Sequence, residues 1–195
     1  MLVIEGAYLA TCSGAEHPSG YVAVDGARIV AVGDGAAPAQ FAGAERVDGR
    51  GRLVTPGLVN THHHLYQWLT RGLATDHTLF QWLTTLYPIW ARLDEDLVHA
   101  AAAANLAWLA LSGCTTSSDH HYVFPRGGGD LLGAEIRAAQ QIGLRFHPAR
   151  GSMNLGESDG GLPPDEVVES HDTILAASAD AIDRFHDPSP GSMLR

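Results

Sequence analysis

The sequence is 195 residues long, 45% hydrophobic and 17% charged, an ordinary balance for a globular chain, and its formal charge is −10. That acidity argues against a nucleic-acid polymer or an anionic membrane surface as partner, and no apolar run approaches the length of a membrane span. The opening MLVIEGAYLATC lacks the basic stretch of a secretory leader, and Cys12 and Cys114 stand far apart in no metal-ligand spacing, so they read as reduced, buried thiols of a cytoplasmic protein.

Residues 1–52 are rich in strand formers and glycine. Leu2-Val3-Ile4 opens a short strand, and Tyr21–Val24 and Ile29–Val32 flank Asp25-Gly26-Ala27-Arg28, a hairpin signal. The segment is too small to bury a core of its own. It reads as the amino-terminal strands of a small β-sandwich completed elsewhere.

From residue 53 the pattern changes. Leu53–Val59 is a candidate buried strand, and Phe80–Leu93 reads as a helix broken near Tyr87-Pro88. Asp94 is a candidate N-cap for a second helix, with Leu97, Ala101, Ala104, Trp108 and Leu111 recurring along it and Gly113 beyond its end. Cys114–Ser118 is a second strand, ending in Asp119-His120-His121. Leu132, Ile136, Ala139 and Ile142 mark a third helix closed by Gly143, and Leu144–Ala149 a third strand ending at Arg150. A long polar loop runs from Ser152 to Leu162, and its Gly-rich stretch Asn154 to Pro164 suits a lid or, equally, a disordered loop. Pro163-Pro164 opens a fourth helix, with Val168, Leu175 and Ile182 on one face, and the Pro188 and Pro190 cluster leads toward a fourth strand.

Strands alternating with helices predict a parallel sheet. The reactive side chains fall at the carboxyl end of each strand, where a (β/α)8 barrel keeps its active site. A doubly wound sheet also binds there, but the Gly-rich phosphate loop usual after its first strand is missing. The fold class is therefore α/β: an incomplete (β/α)8 TIM-type barrel, its first three to four units over residues 53–195, preceded by part of the sandwich.

The most informative stretch is Thr55-Pro-Gly-Leu-Val-Asn-Thr-His-His-His64. Along a strand, alternate side chains share a face, so His62 and His64 point one way and His63 the other. Two neutral imidazoles on one face are half of a metal site. The bland alternative is a polar turn, but turns favour Gly, Asn, Asp and Ser over a histidine triplet. Gln67 follows on the loop, and its amide offers both donor and acceptor to a heterocycle. Of Asp119, His120 and His121, one histidine must face the pocket if the strand continues, and His121 is the candidate; a structural hydrogen bond is its alternative. Arg150 can fork onto a carbonyl or anionic ring edge, or pair with nearby Glu157 or Asp159. Trp68 and Trp82 suit stacking, but helical aromatics are more often core.

The triplet and its flanks resemble the PG(L/F)(V/I)(N/D)xHxH signature of the amidohydrolase superfamily. Within it, His62-His-His-Leu-Tyr-Gln67, Leu69-Thr-Arg71, Tyr87-Pro-Ile-Trp-Ala-Arg92, Ser112–Tyr122, Arg150-Gly-Ser-Met153 and Gly156–Pro164 look like the 8-oxoguanine deaminase branch, whose relatives act on guanine, cytosine and triazines. The resemblance implies one divalent metal held by His62 and His64, with Zn²⁺ suiting the shell and Fe²⁺ or Mn²⁺ as alternatives. Such a metal brings the pKa of bound water from about 15.7 toward 7. It also implies hydrolytic deamination of a purine-like heterocycle, 8-oxoguanine giving urate and ammonia, with Gln67, His121 and Arg150 toward the substrate. Alternatives are guanine, isocytosine, cytosine or hydroxytriazine aminohydrolysis, a hydantoinase-like or dihydroorotase-like amide hydrolase, or an inactive truncated remnant. The family's remaining ligands and general acid/base residues have no counterpart here, so the chain reads as the amino-terminal part of such an enzyme. The expected partner is a small heterocyclic substrate, with no nucleic acid or membrane, and the full-length protein is free to form a homo-oligomer.

Overall fold

The computed structural model describes residues 1–195, which form two compact units, Met1–Gly57 and Leu58–Arg195. The first unit is one five-stranded sheet. Strands β1 (Leu2–Ala10), β2 (Glu16–Asp25) and β3 (Arg28–Asp34) pair antiparallel in sequence order, while β4 (Glu45–Asp48) and the two-residue β5 (Leu53–Val54) run parallel to β1. The hairpin falls where the sequence placed it: Asp25 lies opposite Arg28, and Gly26 supplies the positive φ of the turn, +55°. Small buried clusters on this sheet are built from Val3, Ala23 and Phe41 and from Ala7, Leu9 and Val22. Cys12 is exposed here, against the expectation of a buried thiol, whereas Cys114 is buried. Cys12 sits in a turn at φ +57°, between β1 and β2.

The candidate strand Leu53–Val59 is two strands. Leu53–Val54 belongs to the first sheet, and β6 (Leu58–Asn60) opens the second unit. Pro56 divides them, because it has no N–H for a ladder and holds Thr55 out of the helical region.

In the second unit β6, β7 (Cys114–His121) and β8 (Arg145–Arg150) form a parallel sheet in that order. Helices α1 (Leu79–Trp90) and α2 (Glu95–Leu111) lie between β6 and β7 in the chain, α3 (Leu131–Ile142) between β7 and β8, and α4 (His171–Phe185) after β8. The arrangement is mixed α/β, and its three strands do not close into a barrel. Beyond α4, only Leu194 bridges to Phe146, with Phe146 N–H donating to Met193 O. Two clusters form the core, one around Tyr66, Leu86, Trp90 and Leu131, the other around Leu65, Leu106, Ile136 and Phe146. No helix is long and apolar enough to cross a membrane.

Local chemistry explains most boundaries. Asp94 caps α2 by accepting from Leu97 N–H at 2.9 Å, and Gly143 ends α3 at φ +81°. Helix α1 runs through Pro88 instead of breaking there. The proline stands near the end of the helix, where its missing N–H removes one ladder bond, and Ala91 N–H still reaches Tyr87 O at 2.8 Å. The buried face of α2 carries Val98, Ala101, Ala102, Asn105 and Leu106, while Leu97, Trp108 and Leu111 face outward. Alanine fills so much of this helix that several apolar stripes fit the sequence equally well. Helix α4 starts at His171 rather than Pro164, because the Ser170 side chain accepts from Thr173 N–H. Its Leu175 and Ile182 share a face that is exposed. The polar loop is pinned internally: Asp165 Oδ1 accepts from Ser158 N and Oγ, and Gly161 N–H donates to Gly156 O.

Candidate metal-binding site

The histidine triplet follows the last residue of β6 and stays tied to β7. Asn60 Nδ2 donates to Ser117 Oγ at 3.0 Å. His120 N–H then donates to His63 O at 2.9 Å, and Leu65 N–H to Asp119 Oδ1 at 2.6 Å. The His62 and His64 rings lie edge to face, 5.4 Å between centroids. His63 turns the other way, its Nε2 2.6 Å from Asn105 Nδ2 on α2. The alternation expected along an extended segment therefore persists past the end of β6.

The His64 ring is oriented by its own hydrogen bond. Its Nδ1 lies 2.7 Å from the carbonyl oxygen of His120. A carbonyl only accepts, so Nδ1 carries the proton and Nε2 carries the lone pair, the form in which histidine ligates a metal. Burial pushes the His64 pKa below its ordinary value, the neighbouring histidines push the same way, and the His120 carbonyl opposes them. The donor set thus fits a divalent cation. His62, His64 and Gln67 line one open cleft of about 410 Å³ together with Trp68, Arg71 and Trp82, and His63 with its partner Asn105 borders the same cleft. Gln67 Nε2 also reaches Tyr66 Oη at 3.4 Å.

Two expected substrate residues lie elsewhere. Strand β7 continues through His121, so Asp119 and His121 share its buried face and His120 takes the other. His121 is fully buried, with Nδ1 2.7 Å from Glu135 Oε1 and Nε2 2.8 Å from Val123 O. Both nitrogens are engaged within the unit, and the structure does not bring His121 into the cleft that holds His62, His64 and Gln67. Arg150 is likewise closed: Nη2 donates to Glu169 Oε1 at 2.5 Å, Nη1 to Gly151 O at 2.9 Å, and the guanidinium lies 4.1 Å over the Phe124 ring. Its partner is Glu169, not Glu157 or Asp159. A larger cleft of about 760 Å³ borders Arg150, and most of its charged groups pair with one another, Arg150 with Glu169 and Arg184 with Asp130 and Asp180. It does not include the triplet and carries no comparable set of histidine donors.

The residue that sequence reasoning passed over is His120. Its ring lies 5.6 Å from His64 and 5.5 Å from Tyr122, and Tyr122 lies 5.2 Å from His64. Extending the β7 alternation by three residues would have selected it over His121. Gly151 is fitted beneath it: a side chain there would overlap the His120 ring and crowd Tyr122 Cβ.

A second cluster lies within the unit. Ligand-type atoms of Asp119, His121 and Glu135 fall within 4.8 Å of one another, all buried, and such a set could hold a metal ion. The direct 2.7 Å pairing of His121 Nδ1 with Glu135 Oε1, however, is the length of a hydrogen bond and leaves no room for a cation between them. Burial, then the Glu135 charge, raises the Asp119 carboxyl well above its usual range.

The fold and the triplet define a class: the chain belongs to the amidohydrolase family, whose model matches residues 53–190. It is 44% identical to an 8-oxoguanine deaminase of Pseudomonas aeruginosa over 95% of this chain and 41% of that protein. It is also 42% identical to hydroxydechloroatrazine ethylaminohydrolase of Pseudomonas sp. strain ADP, over 80% of this chain and 34% of that one. Among solved structures it resembles the zinc complex of atrazine chlorohydrolase from Arthrobacter aurescens TC1, with a TM-score of 0.91, 34% identity, and coverage of 100% of this chain and 45% of that one. The chain thus spans less than half the length of the relatives it matches.

Proposed function

We propose that the protein containing this chain is a metal-dependent aminohydrolase that deaminates 8-oxoguanine to urate and ammonia. The 44% identity to an 8-oxoguanine deaminase across nearly the whole chain carries the reading. The paired His62 and His64 support it, as does the Gln67 amide in the same cleft. A divalent ion, zinc by analogy with the atrazine chlorohydrolase complex, supplies Lewis acidity and lowers the pKa of the water it binds. His62 and His64 would hold it. Gln67 presents a donor and an acceptor to the lactam edge of the purine, and Trp68 and Trp82 wall the cleft against bulk water. The closed (β/α)8 barrel, the second layer of the β-sandwich and the residues that move the protons are proposed for chain beyond these residues. A cytoplasmic location is part of the same proposal.

A hydroxytriazine aminohydrolase is the second reading, favoured by the 42% identity to the ethylaminohydrolase. The test is urate formation, followed by ultraviolet absorbance, from 8-oxoguanine offered to the full-length protein alongside guanine, isocytosine and hydroxytriazines. Urate formation with the highest kcat/KM supports the proposal. A higher kcat/KM on a hydroxytriazine replaces it with the second reading.

A further inference from the structure

We infer that Asp119 is a positioning residue for the histidine pair: its carboxyl, seated against Glu135, clamps Leu65 N–H and thereby sets the turn that presents His64 Nε2. The inference rests on the proposed metal role of His62 and His64. Three hydrogen bonds join the triplet to the end of β7, and two of them are backbone to backbone or ring to backbone, from His120 N–H to His63 O and from His64 Nδ1–H to His120 O. The third uses a side chain, Asp119 Oδ1 accepting Leu65 N–H at 2.6 Å. It is the only one of the three that depends on a side chain of β7.

Asp119 is 1% exposed and Glu135 is fully buried. Asp119 Oδ2 and Glu135 Oε2 are both buried without a partner when each carboxyl is drawn without a proton. One proton held between the two carboxyls gives both oxygens a partner and removes the cost of two adjacent buried charges. A second proton lies between Glu135 Oε1 and His121 Nδ1, and His121 Nε2 donates a third to Val123 O. Each polar atom of the cluster is thereby occupied, and Oδ1 of Asp119 is committed to Leu65. A carboxyl that can neither rotate nor ionise freely is a rigid acceptor. The rigidity passes through Leu65 to the residue before it, which is His64.

The test uses the full-length protein that contains this chain, its Asp119→Asn and Asp119→Ala variants, nitrogen-15 NMR of the His64 ring, amide exchange at Leu65 and titration of the metal-free protein with Co²⁺. The expected wild-type result is a His64 ring protonated at Nδ1 and a Leu65 amide that exchanges slowly. Asp119→Asn keeps a neutral acceptor and retains both signatures. Asp119→Ala loses them: His64 becomes a mixture of tautomers, and Co²⁺ affinity falls ten- to a hundredfold, the usual cost of losing a group that orients a ligand. A folded Asp119→Ala protein with the wild-type tautomer overturns the inference. If that variant does not fold, the wild type and Asp119→Asn decide it, since a ring protonated at Nε2 in either one overturns it. A wild-type protein that binds no Co²⁺ while keeping the His64 tautomer and the slow Leu65 amide removes the metal reading and leaves the clamp intact.

Discussion

The two faces of β7 carry the same residue types to opposite ends. On one face His120 stands beside His64 and Tyr122, and His64, which borders the open cleft, keeps a nitrogen free. On the other, Asp119 and His121 close on Glu135 with the ring's nitrogens both engaged. Histidine and carboxylate at a strand end are therefore not a site by composition. What separates them is whether a lone pair is left over, and that follows from which helix packs behind the strand.

The sharpest way to break the comparison is to remove one group packed against each face. In the full-length protein His64→Ala is expected to abolish metal retention and nearly all turnover, checked by elemental analysis and by urate formation; full metal stoichiometry would take His64 out of the coordination shell. Glu135→Ala leaves His121 and Asp119 buried without their partner, and is expected to cost about 3–5 kcal/mol of stability in denaturant titration. Arg150→Ala and Gln67→Ala make the next contrast. The first removes a nearly buried ion pair with Glu169 and is expected to lower stability by about 2 kcal/mol with KM unchanged. The second is expected to raise KM at unchanged stability.

Protonation sharpens the same contrast. The folded-state pKa of Asp119 is raised, so the folded protein holds its proton more tightly than the unfolded chain does. The resulting stability is fully present below the ordinary carboxylate pKa of about 3.9 and is lost as pH rises through the folded value. Asp119→Asn, which cannot ionise, is expected to flatten that part of the stability–pH curve relative to wild type, measured by thermal melts across the acid range. Least of all, Leu175→Glu on the exposed face of α4 is expected to change stability by less than about 0.5 kcal/mol.

Much of this was legible in the sequence where local chemistry decides. The Asp25–Arg28 hairpin, the Asp94 cap, the Gly143 stop and the opposed directions of His62, His63 and His64 each follow from a residue and its immediate neighbours. What failed depends on partners far along the chain. Leu53–Val59 divides because Pro56 interrupts it between two different sheets. The buried face of α2 differs from its apolar stripe because periodicity does not say which neighbour an element meets, and the loop Asp165 anchors postpones α4 to Ser170. His121 was preferred over His120 because nothing near it announces Glu135, fourteen residues on, and Arg150 was paired too early because Glu169 lies nineteen residues away.

Gly151 extends the lesson to a residue with no functional group. The absence of a β-carbon there leaves the space that the His120 ring occupies, and that ring stands next to His64. In a saturation scan of the chain, this position would tolerate substitution as poorly as the imidazoles do, and its intolerance would be read wrongly as chemistry when it is clearance.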